Sequence, residues 1–173
     1  MKYYTGIGSR RTPEDILKWM EIFGKKFDIN YTLRSGGAPG ADKAFEKYVK
    51  VKDIYLPWKG FESNASPLFS PSEEAFELAS TLHPGWKNLS EGAKKLMARN
   101  AHQVLGTNLK IPSEFVICYT PDGATTEKTC TRNTGGTGLA IRLADKMKIP
   151  VFNLGDKKTL YYLTKQYNIN IRE

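Results

Sequence analysis

Asp42 and Glu46 are the acids of this chain best placed for chemistry, standing four residues apart in a helix-like stretch just after the turn LRSGGAPGAD (33–42). On a helix that spacing puts both carboxylates on one face. There a carboxylate can reach a ribose hydroxyl or a glycosidic carbon. It can stabilise an oxocarbenium-like transition state or activate water, as cleavage of a C–N glycosidic bond requires. The plainer reading has Asp42 complementing the N-terminal dipole of its helix and Glu46 solvated on the surface.

Two further glycine-bearing stretches, GIGSRRTPED (6–15) and RNTGGTGLAI (132–141), also sit where a strand can give way to a helix. Glycine lets the backbone approach a ligand, and the free N–H groups of a first helical turn favour an anion. Three such turns point to one phosphate-bearing site. Its candidate ligands are Gly8, Ser9 and Arg10 in the first turn, and Ser35, Gly36, Gly37, Ala38 and Gly40 in the second. Gly135, Gly136, Thr137 and Gly138 supply the third. Arg10 and Arg34 flank the first two turns with guanidinium groups suited to bidentate phosphate contacts, whereas Arg11 reads as solvent-facing. Ser9, Ser35, Thr120 and Thr137 can donate to phosphate or merely cap turns. Arg99 falls on the polar side of a helix with Lys95 and His102, where it either helps close the pocket or belongs to an exposed charged face. Trp58, Phe61, Phe69 and Trp86 can stack on a base or anchor the segment that carries them. Ser35 has no histidine in the context of a positioned base, and His83, within LHPGW, reads as a turn residue.

The elements that must hold these residues alternate. Strands are expected at 3–7, 31–34, 53–57, 115–119 and 151–154, with a short edge strand at 169–171. A helix begins at Thr12 and Pro13, with Thr12 as N-cap and Ile16, Met20, Phe23 and Phe27 at helical spacing. Another carries Ala41, Ala44, Phe45, Tyr48 and Val49 on one face. Residues 58–110 form an insertion: a long polar connection, a helix start at Ser70, Pro71 and Glu73, and a helix over 90–105 with Leu96, Met97, Ala101, Val104 and Leu105 as its stripe. The last two helices are expected at 138–147 and 156–166. This pattern predicts an α/β, Rossmann-like, doubly wound, mainly parallel sheet with helices on both faces, in a single domain over 1–173. All three glycine turns fall at the carboxyl ends of its strands.

Composition narrows the class. The 173 residues suffice for a core without staples, and no apolar run approaches the ~20 residues of a membrane span, so no membrane partner and a cytoplasmic location are expected. Cys118 and Cys130 do not make a disulfide framework, and His83 and His102 lack ligand-spaced partners, so no metal and no cofactor are expected. A homo-oligomer is compatible with the sequence. The net charge of +8 favours anionic ligands without choosing between a small phosphate compound and nucleic acid.

The combination of GSRR (8–11), LRSGGAPGAD followed by Phe45 and Glu46, and NTGGTGLAIRLA (133–144) followed by IPVFNL (149–154) resembles the SLOG superfamily of Rossmann-like nucleotide-binding proteins. That superfamily includes the lonely-guy phosphoribohydrolases and the DNA-processing protein A family. The resemblance covers most of the chain apart from about 58–110, and the compact form, with ARN at 98–100, looks most like the small members common in phages. It implies a pocket for a nucleotide-derived ligand with residues 8–10 on one side, 35–40 below and 135–138 opposite. One departure matters. Lonely-guy enzymes follow their third glycine turn with a threonine and a catalytic glutamate, in a pattern like PGGxGTxxE. Here the stretch reads TGGTGLAIR, with Ile141 or Arg142 near the place of that glutamate, so their activity does not carry over through this motif.

Three functions follow as expectations: a protein that binds a phosphorylated nucleoside or ADP-ribose-like ligand and hydrolyses its N-glycosidic bond through Asp42 or Glu46; a non-catalytic sensor or sequestering protein for such a ligand; and a single-stranded DNA binder like DNA-processing protein A. The positive charge is mostly dispersed lysine, with no aromatic and basic repeat along a groove. Non-specific DNA binding is therefore expected to be weak and to fall steeply with added salt as counterion release loses its drive. Fluorescence anisotropy of labelled single strands across a salt series checks this, and tight, salt-resistant binding would support the DNA-processing reading.

Overall fold

Short apolar strand segments are separated by stretches with apolar residues at helical spacing, and a computed structural model describing residues 1–169 resolves them into a parallel sheet between two helical layers. The strands are β1 (Tyr3–Gly8), β2 (Thr32–Ser35), β3 (Lys52–Ile54), β4 (Val116–Tyr119) and β5 (Val151–Asn153). The helices are α1 (Glu14–Phe27), α2 (Ala41–Glu46), α3 (Glu73–Leu82), α4 (Glu91–Leu105), α5 (Gly138–Lys146) and α6 (Lys157–Gln166). Strand order is β3-β2-β1-β4-β5 with every pairing parallel, so the expected Rossmann-like α/β architecture is the one formed. The chain winds outward from β1 to β3 and then crosses back to β4, which puts the reversal of strand order between β1 and β4. The edge strand expected at 169–171 falls mainly outside the described residues.

Because successive strand residues face opposite ways, Val116 and Cys118 of β4 join the aliphatic layer under α3, α4 and α5, while Phe115 and Ile117 join the layer under α1, α2 and α6. The second layer is aromatic. Tyr4 stacks on Phe115 at 5.5 Å between ring centres, and Phe27 meets Tyr4, Tyr31, Phe115 and Tyr167 edge-on. Gly6 is required by packing, since a Cβ there would lie 2.7 Å from the Phe45 ring that α2 lays on the sheet.

Several local expectations shift. Thr12 is not the cap of α1: its hydroxyl donates to the Ser9 carbonyl at 2.6 Å to close the preceding turn, and Pro13 takes the cap position. Helix α3 is capped by Ser72, which accepts from the Ala75 N–H, rather than starting at Ser70. Helix α2 ends at Glu46, so Tyr48 leaves the buried face and is half exposed. Ser90 caps α4, accepting from the Ala93 N–H at 3.1 Å. Helix α4 is buried all round from Ala98 to Leu105, because the sheet lies on one side and α3 and α5 flank it, so Arg99 and His102 are interior residues rather than part of an exposed charged face.

Arg34 is the largest change. It is 2% exposed, and its Nη1 donates to the Val104 carbonyl in the last turn of α4, to the Ile111 carbonyl and to Ser113 Oγ, while its guanidinium lies 3.9 Å from the Tyr3 ring centre. A cation on the carbonyl end of a helix is favourably placed. The side chain thus pins α4 and the following loop to β2 instead of facing a ligand. Gly106 caps α4 with a positive φ of 84°, and a Cβ there would lie 2.6 Å from Arg34 Nη2. Arg34→Ala is expected to cost about 2–4 kcal/mol, a fall in Tm of about 5–15 °C by circular dichroism, through lost charge-assisted bonds to buried acceptors. A variant as stable as wild type would remove this anchoring role.

Candidate functional site

At the carboxyl ends of β1 and β4, where strand order reverses, lies a cleft of about 480 Å³. Ligands of open α/β sheets bind at this position. One wall is the end of β1 and the turn after it, with Gly8, Ser9, Arg10 and Arg11; the floor carries Ala38 from the β2–α2 turn and Asp42 from the first turn of α2. Helix α4 contributes Leu96, Met97, Arg99 and Asn100, and the far wall is Pro121 with residues 133–137.

The turn between β2 and α2 owes its shape to Glu46. Its Oε2 accepts from Ser35 Oγ at 2.6 Å and from the Gly37 N–H at 3.0 Å, which lets Gly37 hold a positive φ of 68°. Burial raises the Glu46 carboxyl, and these two hydrogen bonds oppose the rise. Glu46 is therefore buried under the turn and does not line the cleft; Ser35, Gly36 and Gly37 likewise lie behind it. Gly40 ties the first two turns together: its φ is +86°, and a Cβ would lie 2.7 Å from the Arg10 carbonyl.

Asp42 does line the cleft. It is 3% exposed, its Oδ2 accepts from the Ala38 N–H at 3.2 Å, and its Oδ1 has no hydrogen-bond partner. Burial pushes its carboxyl up to about 7, with Glu46 adding to the rise and Arg99, the Ala38 N–H and Arg10 drawing it back. Arg99 is buried as well. Nη1 donates to the carbonyls of Gly36 and Tyr55, and Nε donates to Asn100 Oδ1 at 3.2 Å. Burial lowers its pKa and Asp42 opposes that, but a guanidinium stays charged. Arg99 from α4 and Asp42 from α2 thus meet at Gly36.

The outer cations are looser. Arg10 lies 3.9 Å from Glu62 in a partly exposed ion pair and 5.8 Å from the Phe61 ring centre; Arg11 is exposed yet also borders the cleft. Phe61 is buried with Arg99 5.6 Å from its centre, so it anchors the insertion, as the plainer reading of the aromatics has it. Trp58, Phe69 and Trp86 do not border the cleft. His83 accepts the Gly85 N–H through Nδ1 at 3.0 Å, holding its own turn.

In the third turn, Gly135, Gly136 and Thr137 line the cleft, whereas Gly138 opens α5 behind it. Gly135 has a φ of 67° with no atom near a built Cβ, and Asn100 Nδ2 donates to the Gly136 carbonyl at 3.0 Å. The wall is organised by Asp122, which accepts hydroxyls from Thr120, Thr131 and Thr134 and the Ala124 N–H. Partial burial acts to raise this carboxyl, but those donors hold it down at about 2. Thr120 also accepts from Asn153 Nδ2, so it is spent on structure and does not line the cleft.

Of the residues singled out from sequence, Gly8, Ser9, Arg10, Ala38, Asp42, Arg99, Gly135, Gly136 and Thr137 are brought together; Arg34, Ser35, Gly36, Gly37, Gly40, Glu46, Thr120 and Gly138 support from outside the cleft wall. Sequence reasoning missed Met97, Asn100, Asn133, Thr134 and the organising Asp122. The PDG turn followed by a threonine-rich run was the available sign of the last. Among the described residues no group of three His, Cys, Asp or Glu is arranged to hold a metal ion, and no helix is long and apolar enough to cross a membrane. Comparisons with models of protein families, with curated proteins and with solved structures find none that matches this chain.

Asp42 carries a measurable cost. Its carboxyl is raised to about 7 in the fold from an ordinary 3.8, so the folded state holds the proton where the unfolded chain has released it. Stability is therefore lost as pH rises from about 4 to about 7 and stays lost above that. Asp42→Asn removes the ionisation and is expected to raise Tm at pH 8 by about 4 °C or more, with the difference from wild type shrinking toward pH 4. A difference that does not vary with pH, followed by differential scanning calorimetry, would contradict the burial of an ionised group here.

Proposed function

We propose that the cleft binds a phosphorylated nucleoside or ADP-ribose-like ligand and that Asp42 supports hydrolysis of its N-glycosidic bond. The observation carrying this reading is a buried carboxyl with an unpartnered oxygen in the wall of a cleft that also presents Arg10, Arg11 and Arg99. Arg10 and Arg11, at the more exposed side, hold phosphate with the first and third glycine turns; Arg99 and Asp42, at the buried side, face the sugar. Water adds to the anomeric carbon, the C–N bond breaks, and the base leaves with the bonding pair and takes up a proton. The Asp42 carboxylate stabilises the positive charge that builds on the ribose ring, and a pKa near 7 leaves it ionised in part at neutral pH. The resemblance to the SLOG superfamily supports a nucleotide-derived ligand.

A second reading, a protein that senses or sequesters the ligand unchanged, draws on one observation. Asp42 is the sole carboxylate bordering the cleft among the described residues, and Ile141, near the place of the lonely-guy glutamate, is fully buried in the core.

Incubating wild type and Asp42→Asn with nucleoside monophosphates and NAD-like compounds, and measuring free base by chromatography, separates these. Hydrolysis predicts release by wild type and a loss of about 10²–10⁴-fold in the variant. Release at the wild-type rate by Asp42→Asn would remove the residue from catalysis, and binding without release would favour the sequestering protein.

A further inference from the structure

We propose that the buried end of the cleft reads a vicinal diol, so that the ligand it selects is a ribonucleotide and not its 2′-deoxy counterpart. This rests on the nucleotide reading of the cleft and adds the identity of the sugar to it.

Two hydrogen-bonding groups at this end are left unsatisfied by the protein. Asp42 Oδ1 is an acceptor with no partner, in a side chain that is almost wholly buried yet forms part of the cleft wall. Arg99 has spent Nε on Asn100 and Nη1 on Gly36 and Tyr55, and its Nη2 makes no hydrogen bond among the described residues. The two side chains come from α2 and α4 and converge on one glycine: a Cβ on Gly36 would lie 2.8 Å from Asp42 Oδ2 and 2.6 Å from Arg99 Nη1. They nonetheless make no ion pair with each other among the described residues. The two side chains thus approach the same glycine through atoms that are already hydrogen-bonded, and each keeps one further group, Asp42 Oδ1 and Arg99 Nη2, without a protein partner among the described residues.

The group that fills both must donate at one atom and accept at the next. A phosphate only accepts, and would be repelled by the carboxylate while satisfying the arginine. A cis-diol gives one O–H to the carboxylate and offers the neighbouring oxygen to the guanidinium. Leaving a buried charged acceptor unmet costs more than the bond itself returns, which turns loss of one hydroxyl into a large difference in affinity. The arrangement also orders the ligand, with the sugar at the buried pair and phosphate toward Arg10 and Arg11.

Isothermal titration of the wild-type chain with AMP, GMP, CMP, UMP and ADP-ribose, each beside its 2′-deoxy counterpart, tests this, with the recovered nucleotide checked by chromatography. The ribo form is expected to bind about 10- to 100-fold more tightly, as for a hydrogen bond to a charged buried group. In Asp42→Asn that ratio is expected to collapse to about threefold or less. Equal affinities for the ribo and deoxy forms in wild type overturn the diol assignment while leaving the nucleotide reading intact, as does discrimination among bases with indifference to the sugar. Failure of every nucleotide to bind overturns both.

Discussion

The arrangement that everything around the cleft has to accommodate is the convergence of a buried guanidinium and a buried carboxyl on Gly36. Neither charge is at ease away from water, and neither is neutralised by a direct partner. The surrounding elements supply what compensation there is. The carbonyls of Gly36 and Tyr55 take up Arg99, the Ala38 N–H takes up one oxygen of Asp42, and the bare Cα of Gly36 leaves room for both side chains. The insertion is part of this solution, since its long helix delivers Arg99 and its buried Phe61 lies against that arginine.

Two other arginines show how position changes the meaning of one residue type. Arg34 stands just before the glycines of one turn and Arg10 just after those of another, and the first is buried within β2 while the second is exposed beyond the end of β1. Arg34 spends its charge on backbone carbonyls at the end of α4 and so fixes where that helix stops. Arg10, past the last residue of β1, stays half exposed and borders the cleft. Arg34 thus holds the last turn of the same helix that carries Arg99.

Much of the framework was legible because it obeys short-range rules. A continuous apolar run marked β4, the serine before Glu91 marked the start of α4, and glycine turns after strands located the cleft end of the sheet. The rest depends on neighbours distant in sequence. Whether Arg99 belongs to the pocket or to an exposed face is open until α3 and α5 are seen to enclose its helix, and whether Glu46 is a site acid or a solvated one is open until its carboxylate is seen bonded under the turn ahead of it. The PDG turn and the threonine-rich run after it hint at Asp122, but two of the three threonines it binds lie 9 and 12 residues away, so that only the folded loop shows them returning to it. Spacing along a helix did put Asp42 and Glu46 on a shared face, but depth along that face separates a residue at the cleft from one beneath it.

The aromatic layer around Tyr4, Phe27, Phe115 and Tyr167 lies at the amino ends of the strands, and the cleft lies at their carboxyl ends. The aromatic cluster and the cleft thereby occupy opposite poles of the same sheet. Substitutions in the lining of the cleft touch none of these rings. That separation keeps the lining of the cleft clear of the ring contacts that fix the strand register at the other pole.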